Sequence, residues 1–179
     1  MAIYSDVRKA IRLGAVAALS EYPTTPVIFS HGSGTEPAES YVVVNILNIE
    51  QQGHHSTSSL LNETTETQTI QASYEVMAQF SFVGSQSGDM SQSFTQRINN
   101  NCFVFEELSR NKLGIMRKSQ IRRAPQKRDT KWVEYHNMDA TFSYTVCTTQ
   151  VVDLIEAVVV ENLTEPSIFR VPEGPIPPF

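Results

Sequence analysis

Cysteine, tryptophan and long apolar runs are what this chain of 179 residues has least of. It carries two cysteines and one tryptophan. Cys102 and Cys147 fall in structured stretches with no framework spacing. That excludes a disulfide-stapled scaffold and reads as two buried, reduced thiols in a reducing compartment. No apolar run approaches the roughly 20 residues that a membrane-crossing helix needs, so no membrane partner is expected. The short run LGAVAALS follows Arg12, but Asp6 sits where a leader would be basic. Tyr4, Val7, Ile11, Ala15, Ala18 and Leu19 instead follow a helical stripe, which reads as an amphipathic helix and not as an export signal. Without export, the glycosylation-type triplets at Asn62 and Asn162 are idle.

Net positive charge is also missing. The formal charge is −5, which argues against a protein that simply coats nucleic acid. The average hides an asymmetry, because Arg110 to Lys131 holds nine basic residues against the single acid Asp129, a local +8 that leaves −13 elsewhere.

What the chain does have is alternation. In IQASYEVMAQFSFVG, residues 70–84, Ile70, Ala72, Tyr74, Val76, Ala78, Phe80 and Phe82 point one way and the polar residues the other. This pattern predicts a β-strand buried on one side, more than twice the usual length of about 5 or 6 residues. The first helix is predicted from Ser5, as N-cap, to about Glu21, before Pro23 and Pro26. Short Val27–Ser30 and longer Tyr41–Glu50 strands follow, separated by the turn-rich HGSGTEPAES. The polar, Ser/Thr-rich stretch 51–68 is either a long loop or an extended hairpin tip. A second helix is predicted from about Asp89 to Ser109, with Met90, Phe94, Ile98, Cys102 or Phe103, Phe105 and Leu108 as its stripe. Alternation returns in WVEYHNMDATFSYTVC, with Trp132, Met138, Ala140, Phe142, Tyr144 and Val146 on one side. A last strand spans Leu154 to Val160. From Leu163 onward the chain holds five of its nine prolines and reads as an extended arm. The fold class is therefore α+β: a mainly antiparallel sheet with two amphipathic helices packed on one face. Residues 1–162 form the domain and 163–179 the Pro-rich C-terminal arm.

Reactive constellations are weak. GSQSG, residues 84–88, lies between strand and helix where a hydrolase nucleophile would sit, but Gln86 occupies the nucleophile position, so it reads as a turn. His54 and His55 are adjacent in a polar stretch without spaced metal-ligand partners. His31 stands in a turn and His136 reads as a packed or interface residue. No enzyme activity, metal or cofactor is expected. Arg117, Lys118, Arg122, Arg123, Lys127, Arg128 and Lys131 could neutralise phosphates, contacts that read no sequence. The alternative for them is a solvated hairpin paired with acids of the same chain.

The order of elements resembles the tail terminator and neck terminator proteins of tailed bacteriophages. The residues that carry the likeness are YEVMAQFSFVG leading into the second helix, KLGI at 112–115, and WVEYHNMDATFSY at 132–144. The resemblance implies a non-enzymatic virion protein that assembles in the host cytoplasm as a ring, commonly a hexamer. Such a ring sits in the tail or neck, contacts portal, adaptor or tail-tube proteins, and surrounds the DNA channel. It implies channel or partner-ring contacts at the seven basic residues above, with transient, sequence-blind contact to DNA. It also implies inter-subunit roles for Gln71, Ser73, Glu75 and Gln79 on the polar face of the long strand, and for Phe169 and Pro172 in the arm. The remaining alternative is a basic nucleic-acid-binding module using residues 117–131.

Overall fold

The computed structural model describes residues 3–32, 34–62, 65–128, 130–152, 157–161 and 166–170. Helix α1 spans Ile3–Ala18, strand β1 Val27–Phe29, β2 Tyr41–Asn62 and β3 Thr65–Val83. Helices α2 (Ser87–Asn100) and α3 (Cys102–Arg110) follow, then β4 (Leu113–Lys118), β5 (Arg122–Arg123), β6 (Gln126–Arg128) and β7 (Lys131–Val133). Strands β8 (Tyr135–Val152), β9 (Ala157–Glu161) and β10 (Pro166–Arg170) complete the order. This is the expected α+β class. One sheet has the order β1-β2-β3-β8-β4, with β5 pairing β8, and two separate hairpins are formed by β6–β7 and β9–β10. The pairing is antiparallel in β4–β8, β5–β8, β6–β7 and β9–β10, whereas β1 runs parallel to β2 and matches only Val42–Val44.

The chain divides into two compact units. The first comprises residues 1–55 and 71–146 and contains the main core. Period-2 alternation places Val76, Ala78, Phe80 and Phe82 of β3 beside Met138, Ala140, Phe142 and Tyr144 of β8 in that core, all nearly free of solvent. The helices cover this face. Val7, Ala10, Ile11, Ala15 and Ala18 form the buried stripe of α1. Phe94 of α2 sits at the centre, its ring centroid 4.8 Å from Phe80 and 5.3 Å from Phe82, the offset geometry that aromatic pairs favour. Gly14 is where α1 and α3 approach closely: a Cβ there would lie 2.5 Å from Leu108 Cδ2. A smaller cluster joins Tyr41 of β2, Val83 of β3 and Tyr135 of β8, odd-numbered residues that alternate with the core-facing ones on each strand.

The second unit comprises Ser56–Ile70 and Cys147–Phe179. The stretch 51–68, open between loop and hairpin on sequence grounds, is strand through Asn62 and again from Thr65, in the neighbouring strands β2 and β3. Within this unit the Gln150 side chain donates to that of Gln68 at 3.4 Å, and the Thr69 and Thr149 hydroxyls lie 3.4 Å apart. The first part of the arm forms β10, antiparallel to β9 with Phe169 opposite Val158.

Several local expectations change. Helix α1 begins at Ile3, so Ser5 lies inside its first turn instead of capping it. The single helix expected from Asp89 to Ser109 is two. Asn101 adopts an extended conformation (φ −102°, ψ 121°), and its side-chain oxygen accepts a hydrogen bond from the Phe103 N–H at 2.9 Å, capping α3. The break resets the helical phase. Val104 and Leu108 are buried, while Phe103 and Phe105, assigned to the stripe, are 74% and 65% exposed. Both cysteines, expected to be buried, are exposed and free. Trp132 does not join the apolar row of β8. It lies on β7, across the irregular residue Glu134, and is 70% exposed.

Candidate assembly interface

The residues of β3 that alternate with the buried row build a charged network with β8, β4 and β5. Arg117 of β4 donates from Nη2 to Glu75 of β3 at 2.8 Å and from Nε to the Thr141 hydroxyl of β8 at 3.2 Å. One step along, Gln79 of β3 donates to Asp139 of β8 at 3.1 Å, and Arg122 of β5 donates to the other oxygen of the same carboxylate. The Asp139 backbone N–H donates to the Ser119 hydroxyl at 2.9 Å, which fixes the turn between β4 and β5. Arg123 forms a two-point pair with Glu134, Nε to Oε2 at 2.9 Å, the fork geometry that guanidinium and carboxylate share. That contact holds the Glu134 carboxyl below the usual range, and hydrogen bonding to Glu134 raises the Arg123 guanidinium.

The β6–β7 hairpin is tied to the 34–40 loop through one carboxylate. Glu36 accepts hydrogen bonds from the Tyr41 hydroxyl and from Arg128 of β6. Both contacts lower the Glu36 pKa, the tyrosine hydrogen bond first and the arginine second. The Arg128 guanidinium also sits 5.4 Å from the Tyr135 ring centroid, over the small second cluster. Burial and then the Glu36 contact push the Tyr41 hydroxyl well above its ordinary value.

The seven basic residues singled out from sequence thus do not gather into one patch. Arg117 and Arg122 lie in the β3–β8 network, Arg123 pairs with Glu134, and Arg128 pairs with Glu36. Lys118 is opposite Ala140 in register and reaches the Thr95 carbonyl of α2, on the other side of the sheet from Arg117. Lys127 and Lys131 are exposed on the hairpin, beside exposed Trp132, and make no ion pair among the described residues. Of the other candidates, Gln71 and Ser73 are exposed on β3, and Glu75 and Gln79 are engaged in the network. Phe169 belongs to β10, and Pro172 lies outside the described residues.

Two features had no sequence signal. Ser87, just past the GSQSG midpoint, lies with its hydroxyl 3.0 Å from His136 Nδ1. This is a serine–histidine contact of hydrolase type in pairing alone. Ser87 is completely buried, which denies a substrate access to its hydroxyl. The second is a mainly apolar hollow of about 420 Å³ lined by Ile3, Tyr4, Ile46, Leu47, Ile49 and Tyr74 with the polar Asn48, at the start of α1 and beside β2. Among the described residues no cluster of three or more His, Cys, Asp or Glu could hold a metal ion, and no helix is long and apolar enough to cross a membrane.

A mostly antiparallel sheet, covered by helices on one face and threaded with paired charges among the alternate residues, defines an α+β domain. The chain belongs to the phage neck terminator protein family, whose model matches residues 1–167. It is accordingly a structural phage protein. One solved structure is similar at 14% identity with a TM-score of 0.36, over 85% of this chain and 97% of the other, a likeness too loose to carry argument. No curated protein matches the chain.

Proposed function

We propose that this protein forms a closed ring, of six subunits, in the neck of a tailed phage particle, and there joins the tail to the head connector around the DNA channel. The observation that carries this reading is the family match over residues 1–167, which takes in all three helices, the main sheet and β9. Head-to-tail contacts between identical subunits close into a ring when their rotation allows it. The uneven charge suits such contacts: the exposed Lys127 and Lys131 of one copy face a body that is strongly acidic outside the basic segment. Gln71 and Ser73, exposed on β3, are free to meet a neighbour. The partners are further copies of this chain and adjoining portal, adaptor or tail-tube rings, first in the host cytoplasm and finally in the virion.

Electron microscopy of the purified protein, alone and with its portal or tube partner, tests the proposal. Rings of defined symmetry are expected. A molecule that stays monomeric at every concentration, and that occupies the particle as isolated copies, would overturn it.

The opposing reading, a nucleic-acid-binding module, receives no comparable support. Four of its arginines are already paired with carboxylates of the same chain.

A further inference from the structure

Strand β1 covers only Val42–Val44 of β2, so beyond Asn45 that side of β2 has no strand neighbour among the described residues. The hollow of Ile3, Tyr4, Ile46, Leu47, Ile49 and Tyr74 lies along this stretch. Its volume of about 420 Å³ is within the range of roughly 300 to 1,000 Å³ typical of ligand sites. It is open to an incoming chain: Tyr4 is 56% exposed and Leu47 48%. Two tyrosines amid aliphatic side chains are the lining that proline-rich segments dock on.

The chain carries a segment of matching chemistry. Residues 171–179 read VPEGPIPPF, with four prolines, Ile176 and Phe179, one acid, Glu173, and no basic residue. At three residues per turn of a polyproline helix, Pro172, Pro175 and Pro178 fall on one edge when docked, and nine residues reach about 28 Å. A cation stands at the rim of the groove where the segment carries an acid: the Arg8 guanidinium lies between the Phe29 ring, 4.3 Å from its centroid, and the Tyr4 ring, 5.7 Å from its centroid. Prolines lack backbone donors, which disfavours simple extension of the β2 edge and favours the aromatic hollow beside it.

We infer that the hollow at Tyr4, Leu47 and Tyr74 receives the segment 171–179 of a neighbouring copy, with Glu173 drawn towards Arg8. The inference rests on the ring reading above and names the socket by which each copy holds the next.

Disulfide trapping between two populations of the full chain tests it, with the native exposed Cys102 and Cys147 replaced by serine in both. One population carries Leu47→Cys and the other Ile176→Cys, so that a bridge forms only between different molecules. Mixing under mild oxidation should give a cross-linked heterodimer. A control population with Val16→Cys, on the exposed side of α1 and about 18 Å along the helix from Tyr4, should give at least ten-fold less. A synthetic peptide of residues 168–179 in excess should suppress the Leu47 cross-link, and Glu173→Lys in the Ile176→Cys chain should reduce it several-fold. Equal yields at Leu47 and Val16, or no cross-link in a sample whose rings are visible by microscopy, would overturn the docking while leaving the ring reading intact. A specific cross-link in a sample without rings would uphold the socket and sink the closed ring.

Discussion

At the scale of the residue, one carboxylate does the joining of two segments. Glu36 holds both Tyr41 and Arg128, and its folded pKa lies below the ordinary 4.5. A carboxyl depressed by folding contributes stability above its unfolded pKa and loses that contribution as pH falls through the folded value. The tie between the 34–40 loop and the β6–β7 hairpin should therefore be complete at neutral pH and fade below about pH 4.5. Because Glu36 is half exposed, the contribution is about 1 kcal/mol or less. Glu36→Gln should lower stability at neutral pH by about 1 kcal/mol or less and leave the value near pH 3 unchanged, flattening the acid limb of the stability–pH profile followed by urea unfolding from pH 3 to 7. Gly84 makes a sharper demand. Its φ of +106° and a Cβ position 2.9 Å from Ser40 Cα leave no room for alanine. Gly84→Ala should cost about 1 to 3 kcal/mol, seen as a drop of several degrees in the melting temperature. Little of this was legible in the sequence. The basic segment announced itself by charge, but its partners Glu36, Glu75, Glu134 and Asp139 lie on separate strands and loops, and no spacing rule brings them together. The exposed cysteines were missed for a related reason: thiols are buried on average, and the average says nothing of a helix whose phase has been reset at Cys102 or of a strand whose exposed stretch begins at Cys147.

At the scale of the element, alternation was the dependable signal and helix continuity the undependable one. The apolar rows of β3 and β8 could be read residue by residue, because a period of two fixes the buried face once the strand is known. Trp132 fell out of its row because Glu134 interrupts the ladder between β7 and β8. The helical stretch from Ser87 to Arg110 carried enough apolar residues to look continuous, and only the capping chemistry of Asn101 divides it. Asn101→Ala should remove the cap on α3 at a cost of about 1 kcal/mol, or 2 to 4 °C in melting temperature. Phe94→Ala, at the meeting point of Phe80 and Phe82, should cost about 3 to 5 kcal/mol and serves as the core reference in the same assay.

At the scale of the whole molecule, the family could be reached from the order of elements, whereas the hollow beside β2 could not, since it depends on β1 stopping after three residues. The distribution of charge has a measurable consequence. With four arginines paired internally, Lys127 and Lys131 are the cations of the hairpin left to meet phosphate. Binding to duplex DNA should then be weak and fall with salt at a slope near −1.8 on logarithmic axes, the value for about two phosphates. A slope of −5 or steeper, from fluorescence titrations between 50 and 200 mM salt, would show that the internal pairs open for DNA. The sheet order β3–β8 has a different consequence, felt during synthesis. The strand that flanks β3 on its second side is made last in the main core, so Val76 to Phe82 leave the ribosome about sixty residues ahead of Met138 to Val146. At 5 to 20 residues per second that is a wait of roughly 3 to 12 s, during which a nascent chain carries the apolar row of β3 with the β8 side unfilled. Synthesis of this protein is thus a race between the arrival of β8 and capture by another unfinished chain, and slower crowding of ribosomes on the message should favour soluble product.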